Sequence, residues 1–267
     1  MEKTDLHHQI PVIENRKLCA DHYLLVMSDE RLSKTAQPGQ FVNLRISRRE
    51  ELLLRRPFSV ARTLPGQSLV EIVYRTVGRG TEAMKGLRPG DTADLLGPLG
   101  KGFSFPPSPV NCLLIGGGVG VAPLWGLAER LRQNGNRVIA LLGFRSLDTV
   151  FGLDRFGEGG SETVVTTDDG SYGLKGFVSD PLEEMLNQRI GRAYVCGPPP
   201  MLRAVLPVIR RAHVSGEVAV EERMGCGFGV CLSCVVQVVK DGAVERQRVC
   251  TEGPVFDLEE IILTDET

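Results

Sequence analysis

The sequence predicts a combined all-β and α/β protein in three parts: an antiparallel β-barrel over residues 1–108, a doubly wound parallel sheet over 109–222 and a small cysteine-rich module over 223–267. Three differences in sequence pattern and composition support this division. Short apolar runs broken by turn residues fill the first part, as in small barrels or sandwiches. Continuous apolar runs alternate with helical patterns in the second part, which is typical of parallel sheets. Cysteine and glycine are concentrated in the third.

The composition describes an ordinary soluble chain with a real hydrophobic core. Of 267 residues, 42% are hydrophobic and 24% charged, and the net charge of -2 gives no reason to expect nucleic acid or an anionic membrane as partner. The N-terminus has no apolar stretch of signal-peptide length, and the uncharged stretch 111–128 is too short to span a bilayer comfortably. Seven cysteines, an odd number, argue against a disulfide framework. We therefore expect a cytoplasmic protein in which at least some of the cysteines serve metal or redox chemistry.

Alternation and turn sequences mark the strands of the first part. The runs QFVNLRI, LVEIVYRTV and DTADLLG are separated by TAQPGQ, TLPGQS and GLRPGD. Glycine and proline in these linkers favour tight turns, so neighbouring strands are expected to run antiparallel.

Strands and helices alternate in the second part. Strands are predicted at NCLLIGG, RVIALLGF, ETVVTTDD and RAYVCG. Between the first two, APLWGLAERLRQNG predicts a helix that ends at Gly135. Further helices are predicted around 177–190 and 201–212, although Pro207 weakens the second of these. The apolar face of the first helix consists of Leu124, Leu127, Ala128 and Leu131.

Four cysteines of the third part are spaced C-x4-C-x2-C-x15-C. The spacing of the first three fits the plant-type ferredoxin arrangement for a [2Fe–2S] cluster. A tight loop presents three thiolates, and its glycines let the backbone N–H groups turn toward the sulfides. The predicted ligands are Cys226, Cys231, Cys234 and Cys250, and the loop glycines are Gly225, Gly227 and Gly229.

A structural zinc site is the alternative for these thiols. Zinc modules usually pair two short C-x-x-C knuckles, whereas this module has three clustered thiols and a distant fourth, which favours iron–sulfur. Cys19 and Cys112 stand apart and are expected to be small buried core residues.

The stretch RRPFSV resembles the R-x-[YF]-[ST] signature of the ferredoxin–NADP reductase superfamily, through Arg56, Pro57, Phe58 and Ser59. In that superfamily the arginine holds the flavin pyrophosphate and the hydroxyl lies near the reactive flavin nitrogen. For an isolated match, a strand with one surface arginine and an inward phenylalanine would be the better interpretation.

Two later segments resemble the second and third flavin-contacting segments of the same superfamily, in the same order. The first is VYR, which comprises Val73, Tyr74 and Arg75, and the second is GRGT, with Gly80 and Thr81 near phosphate. Three segments in the right order make the flavin interpretation much stronger than RRPFSV alone.

The segment IGGGVGVAP joins a strand to a helix and contains Gly117, Gly118 and Gly120. Such a glycine loop offers free N–H groups and the positive end of a helix to a pyrophosphate, and Pro123 suits the first helical turn. The pattern departs from G-x-G-x-x-G because Val121 occupies the third glycine's place. It resembles the nicotinamide-binding loop of the reductase superfamily.

The segment CGP, formed by Cys196, Gly197 and Pro198, resembles the motif near the nicotinamide in that superfamily. A buried thiol at the end of a strand explains Cys196 equally well. Similarly, Asp168 and Asp169 of TTDDGSYG lie either near the dinucleotide or in a surface turn. NAD and NADP both stay open, because Arg145 is as consistent with a solvated side chain as with a 2′-phosphate contact.

Over essentially its whole length the chain resembles the electron transfer subunits of class B dihydroorotate dehydrogenases. The stretches EERMGCGFGVCLSCVVQV, RVCTEGPVF, RRPFSV and TDDGSYGLKG carry the resemblance. It implies FAD, a [2Fe–2S] cluster and NAD as cofactors, and an FMN-containing catalytic subunit as partner, in a heterotetramer with two chains of each kind. Electrons from dihydroorotate would pass from FMN through the cluster and FAD to NAD⁺, in pyrimidine biosynthesis. The C-terminal aromatic that covers the flavin in plant-type reductases is absent from LEEIILTDET.

A relay of electrons also agrees with what the motifs lack. No nucleophile–base set can be placed with the histidines, all of which fall outside the motifs. The four histidines are His7, His8, His22 and His213. Ser59 is the predicted catalytic residue, because its hydroxyl would tune the flavin. The alternatives are another flavin iron–sulfur reductase, serving ferredoxin or an oxygenase, and a binding protein with a zinc module on a decayed reductase fold.

Overall fold

The structure is a computed structural model that describes residues 7–45, 52–157 and 160–263, with the backbone alone at His7 and His8. The side chains of these two histidines and the last four residues of LEEIILTDET therefore lie outside the described part. No helix among the described residues is long and apolar enough to cross a lipid bilayer.

Six strands close into a barrel, and every neighbouring pair is antiparallel, which confirms the predicted barrel. The strands are β1 (His7–Cys19), β2 (His22–Ser28), β3 (Phe41–Arg45), β4 (Arg56–Leu64), β5 (Leu69–Arg75) and β6 (Thr92–Leu99). Their order around the barrel is β1-β2-β5-β4-β3-β6. Two short helices lie between strands, α1 (Glu30–Thr35) and α2 (Arg79–Met84).

Alternation along β3 separates the barrel core from its outer face. Val42 and Leu44 are fully buried in the barrel core, so the residues beside them face outward. Phe41 accordingly packs into a different core cluster, shared with the parallel sheet. The outer face of β3 and β4 is therefore the side on which the rest of the chain lies.

The second part forms the predicted strands and helices. Its strands are β7 (Asn111–Gly117), β8 (Arg137–Phe144), β9 (Glu162–Thr167), β10 (Leu174–Lys175), β11 (Ile190–Cys196) and β12 (Gly216–Ala219). Its helices are α3 (Pro123–Gln133), α4 (Asp154–Gly157), α5 (Leu182–Leu186) and α6 (Pro199–Arg211). The four predicted core residues of α3 are all buried.

The other two predicted helices differ in their bounds. The helix expected around 177–190 is only the five residues of α5, because the Asp180 side chain accepts a hydrogen bond from the Phe177 N–H at 2.8 Å and closes a turn there. Helix α6 begins two residues earlier than expected and contains Pro207. Pro207 is exposed, so its ring lies on the solvent side of the helix.

The third part adds β13 (Val235–Lys240), β14 (Ala243–Arg248), β15 (Val255–Asp257) and β16 (Ile261–Ile262). β13 pairs with β14 and β16, whereas β15 pairs antiparallel with β12. The sheet thus has seven strands in the order β10-β9-β8-β7-β11-β12-β15, parallel except at this last pair. The cysteine module therefore shares a sheet and a core with the second part, and the boundaries at 108 and 222 stay predictions.

Candidate functional site

A cleft of about 1170 Å³ lies between the barrel and the parallel sheet. It brings together all but one of the cofactor-binding residues predicted from sequence. Strand ends and loops supply them from positions more than a hundred residues apart. The predicted residues that line it are Arg56, Pro57, Phe58, Ser59, Val73, Tyr74, Arg75, Gly80, Thr81, Gly117, Gly118, Gly120, Gly197 and Pro198.

The predicted phosphate-contacting residues lie against one another at one wall of the cleft. A Cβ atom on Gly80 would overlap the Arg56 guanidinium, so a larger residue would displace that side chain. Arg56 Nη1 donates to the Leu54 carbonyl at 2.5 Å. Thr81 Oγ1 accepts from the Val77 N–H at 2.9 Å and fixes the turn before α2. These contacts hold the positively charged Arg56 guanidinium at this wall of the cleft.

The VYR segment contributes in two different ways. The Tyr74 ring lies in the barrel core, and its hydroxyl donates to Asn15 Oδ1 at 3.0 Å. Burial raises the pKa of Tyr74 to about 12, so the phenol stays neutral. Arg75 Nε instead pairs with Asp21 Oδ2 at 2.6 Å at the edge of the cleft.

Ser59 and Phe58 point to opposite sides of β4. Phe58 packs edge-on against Tyr74, with ring centroids 6.3 Å apart, and joins the barrel core. Ser59 lies on the outer face opposite Phe41, and both residues line the cleft. One strand therefore directs the Phe58 ring toward the barrel core and places Ser59 on the face that lines the cleft.

The glycine loop connects β7 to α3 as expected, but the close approach at Gly120 is to the protein itself. A Cβ atom there would lie 2.5 Å from the Cys196 carbonyl oxygen. Gly120 thus lets the loop touch the end of β11, so that both nicotinamide motifs meet at the carboxyl edge of the sheet.

Cys196 is the one predicted cofactor residue that does not line the cleft. It is buried at the end of β11, and burial raises the pKa of its thiol. Cys112 is buried as expected, but Cys19 is only half-buried, which corrects that prediction. It ends β1 at an open turn, with its Sγ 3.6 Å from His22 Nδ1.

The two aspartates of TTDDGSYG have different places. Asp168 lines the cleft together with Arg145. Asp169 closes a turn, because its Oδ1 accepts from the N–H of Ser171 at 2.9 Å and from its hydroxyl at 2.6 Å. Hydrogen bonds from Ser171 lower the pKa of Asp169. The turn interpretation therefore fits Asp169, and the cleft interpretation fits Asp168.

Glu221 and His22 also line the cleft and escaped the sequence motifs. Glu221 is open to the cleft but crowded by protein on its other sides, and this desolvation raises the pKa of its carboxyl. It follows β12 by two residues, so the rule that ligands bind at the carboxyl ends of parallel strands could have found it. His22 is buried beside Asp21, with Nδ1 3.0 Å from Oδ1.

The cysteine loop presents one accessible pair of thiols. The Ser233 hydroxyl lies 3.3 Å from Cys231 Sγ and, with the Cys226 N–H, lowers the pKa of Cys231 to about 6. Burial opposes ionisation of Cys226, but backbone N–H groups, among them those of Cys231 and Val230, outweigh it and lower the pKa of that thiol. Both sulfurs are thus prepared to be thiolates, the form that binds metal.

The other pair, Cys234 and Cys250, is buried. Burial and the neighbouring Cys234 thiol raise the pKa of Cys250 to about 12. No three His, Cys, Asp or Glu side chains within the described ranges converge to hold a single metal ion. Two pairs of thiols are the donor set that a [2Fe–2S] cluster needs, with two thiolates on each iron.

Arg248 holds the loop and the fourth cysteine together. Its Nη1 donates to the Gly229 carbonyl at 2.9 Å, and its Nε donates to Glu252 Oε2 at 2.8 Å. The Arg248 guanidinium lowers the pKa of Glu252 to about 2, so the pair stays ionised. The four residues fit the cluster that their spacing predicts.

Comparisons with known proteins agree with this geometry. A family described as the iron–sulfur cluster binding domain of dihydroorotate dehydrogenase B matches residues 221–262, and one described as the oxidoreductase NAD-binding domain matches 114–206. The electron transfer subunit of dihydroorotate dehydrogenase B (NAD(+)) of Shouchella clausii is 40% identical over 96% of this chain and 98% of its own length. The same subunit of Fusobacterium nucleatum is 40% identical over 92% of this chain and 94% of its own.

Two solved structures extend the comparison to the whole fold. A chain of an NADH-dependent reduced ferredoxin-NADP oxidoreductase, described for flavin-based electron bifurcation, is 32% identical with a TM-score of 0.84, covering 98% of this chain and 92% of that one. A ferredoxin NADP+ reductase from Neisseria gonorrhoeae, with bound FAD and NADP, shares the fold at 19% identity and a TM-score of 0.66, covering 78% of this chain and 92% of that one.

Proposed function

The chain belongs to the family of dihydroorotate dehydrogenase B electron transfer subunits, and we propose that it connects the FMN of a catalytic partner subunit to NAD⁺. It is an oxidoreductase subunit that uses FAD, a [2Fe–2S] cluster and NAD. When bound, the flavin exchanges a hydride with nicotinamide and single electrons with the cluster, which is why it belongs between them. The relatives' names support this function over the other flavin iron–sulfur reductases.

The observation that carries the proposal is the shared cleft. Arg56, with Gly80 and Thr81 beside it, would bind the flavin diphosphate, and Ser59 would hydrogen-bond near the reactive nitrogen. The loop 117–120 would bind the dinucleotide from the opposite wall. Because both walls line one cavity, the flavin and the dinucleotide would share it.

The face around Cys231 is suited to the catalytic partner. Three apolar side chains of the cysteine loop are exposed there, at 52% for Phe228, 72% for Val230 and 63% for Leu232. Exposed apolar side chains on a redox loop favour a protein interface over water. We propose that the partner docks here, in a heterotetramer of two chains of each kind. A cytoplasmic location is supported by seven free cysteines.

Absorption spectroscopy tests the proposal. Anaerobically purified protein should show flavin bands overlapping iron–sulfur absorption, and NADH should bleach both. A protein that binds no flavin after reconstitution with FAD would overturn the proposal. Flavin bleaching without cluster absorption would keep FAD reduction but return the four cysteines to the zinc interpretation. Co-purification with the catalytic subunit, and its loss in Val230→Asp, tests the docking face.

A further inference from the structure

Asn43 joins the barrel strand next to the flavin motif to the cysteine loop. Its Nδ2 donates to the Cys226 carbonyl at 3.0 Å, across 183 positions of the sequence. On the barrel side, Asn43 lies opposite Pro57 of β4, two residues along β3 from Phe41, which lies opposite Ser59. Facing residues of paired strands are about 5 Å apart, so this one amide bridges from the flavin motif to the first cluster ligand.

The contact is close and fixed at both ends. Gly227 has a φ of +82°, and a Cβ atom there would overlap the Asn43 amide, so the loop lies directly on this side chain. The Asn43 carbonyl accepts from Arg55 Nη1 at 3.4 Å, and Arg55 Nη2 pairs with Asp94 Oδ1 at 2.6 Å. The amide is therefore part of the barrel and is not carried by the loop.

The Asn43 amide is buried with only one of its two polar atoms paired. Asn43 is 1% exposed, and its Oδ1 is buried without a hydrogen-bond partner among the described residues. The unpaired Oδ1 costs free energy, which offsets part of what the Nδ2 bond to the Cys226 carbonyl contributes. Departures of this kind are expected where function requires them.

We propose that Asn43 is a positioning residue that holds the Cys226 end of the cluster loop at a fixed place beside the flavin strand, and so sets the rate of electron transfer between flavin and cluster. This inference rests on the proposed function and assigns a residue to the electron transfer between flavin and cluster. When NADH supplies the electrons, as in the test below, this step would move one electron from the reduced flavin to an oxidised iron; in the direction from FMN to NAD⁺ the same step would run in reverse, and in neither direction is an atom transferred. Arg248 has a different task, because it holds Gly229 from within the cysteine module itself.

Asn43→Leu tests this role in the cofactor-loaded protein, since it keeps the side-chain volume and removes the donor. Reduction of FAD by NADH should keep its rate, while reduction of the cluster by the flavin should slow about tenfold in stopped-flow absorption. Hydrogen exchange of the amides 226–229 should accelerate about tenfold, which does not depend on turnover. FAD and iron content should equal those of the parent protein.

The control is Asn136→Leu, which removes the bonds of another buried asparagine outside the cysteine module: Nδ2 donates to the Leu131 carbonyl at 2.9 Å, and Oδ1 accepts from the Val110 N–H at 3.0 Å. Equal slowing in both variants would mean general destabilisation and overturn the proposal, as would an unchanged transfer rate in Asn43→Leu. Should Asn43→Leu lose its cluster, Asn43→Ser is the second variant. Loss of the cluster from both would also overturn the proposal, because Asn43 would then hold the cluster itself. Failure of NADH to bleach the parent flavin would instead overturn the proposed function.

Discussion

The cofactor cleft and the cysteine loop are built in opposite ways. The cleft assembles residues of β4, β5 and the end of β7 with the loops that follow β7 and β11, which lie far apart in sequence and are held in place by the sheet hydrogen bonds of these strands. The loop takes three of its four cysteines from nine consecutive residues, 226–234, and folds them mainly through backbone N–H groups. A strand-built site exists before its ligand arrives, whereas a loop-built site depends on the ligand for much of its rigidity.

The largest expected effect comes from breaking the loop. Cys231→Ser removes the thiolate with the lowered pKa, so the cluster should be lost entirely. Reduction of the partner subunit should disappear, while NADH should still reduce FAD, because the cleft does not depend on the loop. Iron content, visible absorption and single-turnover flavin bleaching measure these outcomes.

Cys19→Ser is the control for this change, since it alters a half-buried thiol outside the loop. It should leave both cofactors in place. Loss of FAD together with the cluster in Cys231→Ser would contradict the separation of the two sites and indicate that the loop is needed for folding.

The next largest effect comes from the cleft. A Cβ atom in Gly120→Ala would press against the backbone of Cys196, which cannot move aside as a flexible side chain can. The nicotinamide loop should shift, and the KM for NADH should rise about tenfold or more with little change in FAD content. Gly66→Ala, whose Cβ would meet nothing within 4 Å, should leave the KM unchanged. An unchanged KM in Gly120→Ala would show that the loop adapts freely.

Ser59→Ala tests the chemistry of the cleft without disturbing its shape. Loss of one hydrogen bond near the flavin should slow hydride transfer about tenfold and leave FAD bound. Ser59→Thr keeps a hydroxyl on the same strand and should retain most of the rate. Pre-steady-state bleaching of the flavin by NADH compares the three proteins, and an equal rate in Ser59→Ala would remove Ser59 from the mechanism.

The same contrast explains what the sequence can predict. Cysteine spacing is a local pattern, so the four cluster ligands could be predicted from the nine consecutive residues 226–234 together with Cys250. The flavin and nicotinamide motifs are also short, and their order along the chain predicted the cofactors, whereas the pattern of apolar runs and turns predicted the barrel and the sheet. The pairing of β15 with β12 and the Asn43 bond to Cys226 join distant residues, and no local pattern encodes them. Cys19 was misplaced because its burial depends on a turn at the end of β1.

The smallest expected effect concerns the contact between the barrel and the sheet that forms the cleft. Glu71 of β5 is 5% exposed, and burial raises the pKa of its carboxyl despite the attraction of Arg155, whose Nη2 lies 3.7 Å from Oε1. The folded protein therefore binds this proton more tightly than the unfolded chain does, so stability falls as pH rises from about 4.3, the unfolded value, through the folded pKa. Glu71→Gln is neutral at every pH and should raise the melting temperature by a few degrees at about pH 8.

Comparison at two pH values separates this effect from a change in packing. The gain in Glu71→Gln should shrink at about pH 5.5, where the native carboxyl is more fully protonated. The exposed Glu184→Gln, which changes charge in the same way, should shift the melting temperature little at either pH. A lower melting temperature in Glu71→Gln at about pH 8 would mean that the ion pair with Arg155 outweighs the desolvation of the carboxylate. The cleft would then be held together by charge pairing as well as by the apolar contacts of α3 with the barrel.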